Sequence, residues 1–134
     1  MIINILFLII LLICVDSIWL YLIKDKYSDM IQSITYSKMN LNIYYGIVTY
    51  VLLAIGLYYL ALNNNENNMK DILVKAFLVG LVSYGVYDAT NASIFEKWNI
   101  GLAVGDTLWG SVLCVIVAYV YVTINKKMLA NNNK

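Results

Sequence analysis

Four apolar segments, each long enough to cross a membrane, constrain the fold of this chain more than any other feature. They cover about residues 2–23, 41–62, 72–94 and 100–124. A helix rises about 1.5 Å per residue, so roughly 20 residues cross a hydrocarbon core about 30 Å thick. Backbone groups in lipid must bond to one another, which leaves helices or closed barrels, and the alternation of barrel strands is absent. The sequence therefore predicts an all-α, polytopic integral membrane protein, with four transmembrane helices in one bundle.

The composition agrees with this class and limits the partners. Of the 134 residues, 62% are hydrophobic and 13% are charged, about half the charged share of a soluble domain. The length allows one domain, residues 1–125, followed by a polar tail, 126–134, which we expect to be disordered. A net charge of +1 offers no basic surface for nucleic acid, so the expected partner is the lipid bilayer.

The segments between the spans are polar and set the expected topology. Residues 24–40 could hold a short surface helix, and 63–71 form a polar turn of low complexity. Because helices one and three run in the same direction, loops 24–40 and 95–99 are expected on one face. Lysines divide almost equally between the two faces. The pair Lys126 and Lys127, directly after the fourth span, favours cytoplasmic termini.

Three aspartates, Asp16, Asp88 and Asp106, lie inside the predicted spans. A charged residue at mid-membrane costs about 2.5–3.5 kcal/mol on insertion scales, so three of them require a reason. Each lies about six or seven residues from one end of its span, which places all three roughly 9–10 Å below the same face. If all three were ionised they would repel one another. At least one should therefore be protonated, or a cation should bind.

Polar and aromatic residues recur at helical spacing around these acids. Helix three carries Tyr84, Asp88 and Asn91 at positions i, i+4 and i+7, which makes one stripe polar. The motif D-x-x-W occurs twice, at 16–19 and 106–109, on helices expected to be antiparallel. Helices one, three and four are therefore expected to converge on a polar pocket, with helix two closing the bundle. Hydroxyls expected at the same level belong to Ser17, Thr90 and Thr107.

Small residues in the spans are expected to serve packing. Gly101 and Gly105 form a G-x-x-x-G, a spacing that lets helix backbones approach closely. Cys14 and Cys114 are interpreted as apolar fillers, because two cysteines within the membrane make neither a disulfide framework nor a zinc site.

The missing residue types exclude several chemistries. Without histidine there is no Ser-His or Cys-His dyad and no histidine ligand for zinc, copper or haem. The oxygen atoms of Asp16, Asp88 and Asp106 would suit a shared proton or a hard divalent cation such as Ca²⁺, Mg²⁺ or Mn²⁺. Binding of an organic cation to the ring face of Trp19 or Trp109 is a further alternative. No other cofactor is predicted.

The runs VDSIWL in span one, GLVSYGVYDATNASIFEKW around span three and DTLWG in span four resemble a known family over nearly the whole chain. This is the family of small four-span membrane proteins defined by domain of unknown function 2177. The resemblance implies a four-helix integral membrane protein with no established activity. The hallmark residues it implies here are Asp16, Trp19, Tyr84, Tyr87, Asp88, Thr90, Asn91, Asp106, Trp109 and Gly110. With Thr107 added and Gly110 set aside, these residues are the predicted pocket.

Three functions stay open from the sequence. The first is binding or passing a proton or small cation, with Asp88 as the central ligand and Asp16 and Asp106 beside it. Four helices are too few to enclose a pore, so conduction would require a homo-oligomer. The second is a membrane-embedded enzyme that acts on a lipid-like substrate through an aspartate as general acid or base, although no nucleophile is evident. The third is a structural or assembly protein whose aspartates only join helices.

Overall fold

Every long element in the described part of the chain is a helix. The computed structural model describes residues 1–63 and 68–132, with side chains described as far as 125. The helices are α1, Ile2–Thr35; α2, Ile43–Leu57, which continues as a π-helical turn, Tyr58–Leu62; α3, Met69–Ile94; and α4, Ile100–Asn132. Four helical segments in these ranges are long and apolar enough to cross a membrane. The predicted class, an all-α bundle of four transmembrane helices, is confirmed.

Helix α1 is longer than the predicted span. It has 34 residues, or roughly 50 Å at about 1.5 Å per residue, against a hydrocarbon core about 30 Å thick. The short surface helix expected within 24–40 is therefore the continuation of α1 rather than a separate element. No glycine or proline interrupts residues 24–35. The helix ends where Tyr36 adopts a left-handed conformation, with φ of 57°.

Asparagine side chains mark the start of three helices. The Oδ1 atoms of Asn42, Asn68 and Asn99 each accept a hydrogen bond from a backbone N–H in the first turn of α2, α3 and α4. These N–H groups have no partner within their own helix, so the caps stabilise the helix starts. Within the predicted turn 63–71, residues 64–67 lie outside the described residues.

Neighbouring helices run antiparallel, and the connections α1–α2 and α3–α4 meet at one end of the bundle. The ring of Phe7 in α1 lies 6.1 Å from the ring of Tyr121 in α4. At the other end, Lys97 donates a hydrogen bond to the carbonyl of Ser33 at 3.2 Å. Loops 24–40 and 95–99 therefore share a face, as predicted, and we call it the loop face. The backbone of α4 stays helical to Asn132, within the predicted tail, and residues 133–134 lie outside the described residues.

The closest helix–helix approach lies between α3 and α4, which share the largest interface in the described bundle. A Cβ atom at Gly80 would overlap the carbonyl oxygen of Gly110, and a Cβ atom at Gly110 would overlap the ring of Tyr84. Glycine is therefore required at both positions. The G-x-x-x-G pair does not make this approach, because a Cβ atom at Gly105 would only touch the Trp19 ring at 3.8 Å.

Candidate functional site

The three aspartates of the spans are all buried inside the bundle. Their side chains are 5% exposed at Asp16, 3% at Asp88 and 9% at Asp106. They come from α1, α3 and α4, the helices predicted to converge. Buried polar groups are nearly always hydrogen-bonded, so the partners of these carboxyl groups define the site.

The two D-x-x-W motifs exchange hydrogen bonds across the interface between α1 and α4. Trp19 Nε1 donates to Asp106 Oδ1 at 2.8 Å, and Trp109 Nε1 donates to Asp16 Oδ1 at 2.7 Å. The two indole rings stack with centroids 5.3 Å apart and planes 11° apart. Because the helices are antiparallel, each aspartate lies opposite the tryptophan of the other motif. We call these four residues the D-x-x-W exchange.

Helix α2 also contributes to the site, although the sequence predicted only a closing role for it. Tyr50 donates its hydroxyl to Asp16 Oδ2 at 2.7 Å. Both oxygens of Asp16 therefore accept a hydrogen bond. The available signal was a tyrosine in the middle of an apolar span, since a buried tyrosine hydroxyl usually has a partner.

Asp88 has a different environment from Asp16. Its Oδ2 atom accepts a hydrogen bond from the Thr107 hydroxyl at 3.2 Å. Its Oδ1 atom is buried and has no hydrogen-bond partner among the described residues. Because Thr107 directly follows Asp106 in α4, Asp88 joins the same polar layer as the D-x-x-W exchange. Among the described residues, Asp88 Oδ1 is the fully buried carboxyl oxygen of that layer without a partner.

Two aromatic residues cover Asp88 from the loop face, and neither was predicted for the site. Trp98 is 6% exposed, and its ring meets the ring of Tyr27 edge to face, with centroids 6.3 Å apart. The Trp98 N–H lies beside the Asp88 carboxyl and the Tyr27 hydroxyl lies beside Asp106, but neither makes a hydrogen bond of ordinary geometry. Tyr27 reaches this position because α1 continues past the predicted end of its span.

The other predicted residues of helix three lie at the edge of the site or outside its hydrogen bonds. Tyr84 is half-buried and its ring covers Gly110. Tyr87 is half-exposed and contacts the edge of Trp98 at 5.9 Å. Asn91 donates to the carbonyl of Tyr87 in its own helix. The exposed predicted residues are Thr90 and Ser17. The structure thus brings together Asp16, Trp19, Asp88, Asp106, Thr107 and Trp109.

The hydrogen-bond donors around the three aspartates affect whether the site could bind the divalent cation considered from the sequence. In the described part of the chain, no three aspartate, glutamate or cysteine side chains come together in a group that could hold a metal ion. The indole N–H and tyrosine O–H groups direct hydrogens at the carboxylate oxygens that a cation would need. A hard cation such as Ca²⁺ takes six to eight oxygen ligands. The three carboxyl groups supply at most six oxygens, and four of these already accept a hydrogen bond.

An open polar cavity of about 660 Å³ lies at the loop face above Asp88. Its lining residues are Lys26, Asp29, Met30, Ser33, Lys97, Asn99, Gly101 and Leu102. Met30 belongs both to this lining and to the buried cluster around Trp98. Met30 therefore links the lining of the cavity to the cluster that contains Trp98.

Comparison with known proteins agrees with this four-helix description. A family model described as "Predicted membrane protein (DUF2177)" matches residues 1–123, which include every residue of the site. No curated protein and no solved structure matches the chain. The chain therefore belongs to the DUF2177 family of predicted membrane proteins.

Proposed function

We propose that this membrane protein binds a proton at Asp88 and passes it on through the intramembrane acidic site. The observation that carries the proposal is the Oδ1 atom of Asp88, which is buried and has no hydrogen-bond partner in the part of the chain that the structure describes. A proton needs a single lone pair, and a protonated carboxyl gains an O–H donor. Asp88 therefore has an oxygen available for a proton.

The hydrogen bonds of the other two acids support Asp88 as the proton-binding group. Asp16 accepts two hydrogen bonds and Asp106 accepts one from an indole N–H. Hydrogen bonds of this kind stabilise the charged form of a carboxylate. If all the acids of this buried layer were ionised they would repel one another, and a proton on Asp88 lowers that repulsion.

A divalent cation is a weaker interpretation of the same site. Both oxygens of Asp16 and the Oδ1 atom of Asp106 already accept hydrogens from Tyr50, Trp109 and Trp19. A cation would have to displace these donors before it could bind both carboxylates. A proton on Asp88 leaves every one of these hydrogen bonds in place.

A packing role is the second candidate, and the D-x-x-W exchange favours it for Asp16 and Asp106. Their hydrogen bonds join α1 to α4, and Tyr50 joins α2 to α1. Polar groups that bond across helices stabilise membrane bundles. In this account two aspartates hold the helices in register, and the third carries the proton.

Proton flux into liposomes that contain the purified protein tests this proposal. A pH gradient should collapse faster with the wild type than in protein-free vesicles. Asp88→Asn should return the rate to that of protein-free vesicles, because an amide cannot take up the proton. Asp71→Asn is the matched control, since Asp71 lies on the same helix and is exposed. Equal flux in wild type and Asp88→Asn would contradict the proposal.

A further inference from the structure

We propose that Tyr27, Asp88 and Trp98 form a binding site for one small hydroxyl group, which belongs either to a water molecule or to a larger molecule. The inference deepens the proposed function and rests on it in one respect: the hydroxyl is the group through which Asp88 exchanges its proton. We call these three residues the hydroxyl site.

At this place lie three buried polar atoms that have no hydrogen-bond partner within residues 1–63 and 68–125. They are the Tyr27 hydroxyl, Asp88 Oδ1 and Trp98 Nε1. Asp88 and Trp98 are both more than nine-tenths buried, with 3% and 6% of their side chains exposed. The three residues come from α1, α3 and the loop between α3 and α4, and the rings of Tyr27 and Trp98 are 6.3 Å apart. Buried polar atoms rarely lack partners, so their convergence indicates a ligand.

The hydrogen-bonding character of the three atoms selects the ligand. An indole N–H only donates, a carboxylate oxygen only accepts and a phenol hydroxyl does both. A metal ion would face the hydrogen of Trp98, and an anion would face the carboxylate of Asp88. A hydroxyl group can accept from Trp98 and bond to Tyr27. It donates to Asp88 when that carboxyl is ionised and accepts from it when Asp88 holds its proton. Buried waters typically make about three hydrogen bonds of this kind.

The chain offers a matched pair of tyrosines for testing the site. Tyr27 and Tyr87 both meet the edge of Trp98, with ring centroids 6.3 Å and 5.9 Å away. The hydroxyl of Tyr27 is buried without a partner, whereas Tyr87 is half-exposed. Tyr27→Phe therefore removes a polar atom of the hydroxyl site and keeps the ring. Tyr87→Phe removes an equivalent atom outside the site.

Infrared difference spectra in H₂¹⁶O and H₂¹⁸O test whether the occupant is water. The wild type in phosphatidylcholine vesicles should show an O–H stretching band that shifts with the heavier isotope. Tyr27→Phe and Trp98→Phe should lose this band, and Tyr87→Phe should keep it. Circular dichroism of each variant checks that the helices are intact. If Trp98→Phe is unfolded, the test rests on Tyr27→Phe alone.

A second set of vesicles distinguishes a lipid hydroxyl from water. Phosphatidylcholine has no hydroxyl in its headgroup, whereas phosphatidylglycerol has two. If the isotope-sensitive band is absent, but phosphatidylglycerol shifts the Asp88 carboxyl band in wild type and not in Tyr27→Phe, the occupant is the lipid hydroxyl. Both outcomes support the hydroxyl site.

The inference is overturned by spectra that do not depend on the site. Two results together would overturn it. The isotope-sensitive band is absent, and the Asp88 carboxyl band is the same in wild type and Tyr27→Phe in both kinds of vesicle. If that result accompanies proton flux that depends on Asp88, the hydroxyl site is wrong and the proposed function stands. If the band is present but Asp88→Asn leaves flux unchanged, the proposed function is wrong and the site stands.

Discussion

The D-x-x-W exchange predicts which pairs of substitutions should be energetically coupled. Each tryptophan follows an aspartate of its own helix by three residues and faces another aspartate across the interface. The structure assigns the hydrogen bond of Trp19 to Asp106 on α4, not to Asp16 on α1. Trp19→Phe and Asp106→Ala should therefore be coupled, whereas Trp19→Phe and Asp16→Ala should be coupled more weakly.

The geometry sets the size of this coupling. The distance from Trp19 Nε1 to Asp106 Oδ1 is 2.8 Å and Asp106 is buried. Hydrogen bonds to charged groups contribute about 1.5–3 kcal/mol in soluble proteins. Cycles between transmembrane helices average about 0.6 and reach about 1.7 kcal/mol, because separated helices find other partners. We expect about 1–2 kcal/mol for the crossed pair. The pair on one helix should show a smaller coupling, because it is linked through the stacked ring of Trp109 and not by a direct hydrogen bond.

Reversible unfolding in mixed micelles measures the free energy of unfolding of the single and double variants. Loss of the ring stack contributes to the change in the free energy of unfolding of each tryptophan variant. This contribution is the same with and without the aspartate, so it cancels in the double-mutant cycle. Trp109→Phe with Asp16→Ala repeats the test at the other half of the exchange. A coupling within one helix that equals or exceeds the crossed coupling would refute the assigned hydrogen bonds.

Two further predictions concern packing and pH. Gly80→Ala should lower the free energy of unfolding by about 1–3 kcal/mol, because its Cβ atom overlaps the Gly110 carbonyl. Gly46→Ala has open space and should leave the free energy unchanged or raise it by up to about 1 kcal/mol, so equal losses would contradict the predicted close approach. The melting temperature of the wild type should fall as pH rises, because unfolding releases the proton held on Asp88. Asp88→Asn should remove this dependence and Asp71→Asn should keep it, whereas an unchanged slope in Asp88→Asn would contradict the proton on Asp88.

The fold could be predicted from the sequence because the lengths of the apolar segments leave few alternatives in a bilayer. The same rule could not predict the extension of α1, because the apolar segment ends near residue 23. The helix continues beyond that point because no glycine or proline interrupts it. A signal was present in the sequence. Tyr27, Met30, Ile31 and Ile34 recur at helical spacing, and all four pack in the cluster at the loop face.

The convergence of the acids could be predicted from their depth, but the pairing of their hydrogen bonds could not. Depth depends only on the rise per residue, whereas pairing depends on how each helix is rotated about its axis. Thr90 shows this limit. At 3.6 residues per turn it lies about 200° around the helix from Asp88, and it is exposed. The free oxygen of Asp88 depends on Trp98 and Tyr27, whose positions require the folded loop face.

The central claim, that Asp88 holds a proton inside the bundle, is tested most directly by its carboxyl vibration. Infrared spectra of the wild type should contain the C=O stretching band of a protonated buried carboxyl, which disappears as the pH is raised. Asp88→Asn should lack that band, and Asp16→Asn should retain it. A protonated carboxyl band that persists in Asp88→Asn and vanishes in Asp16→Asn would contradict the account.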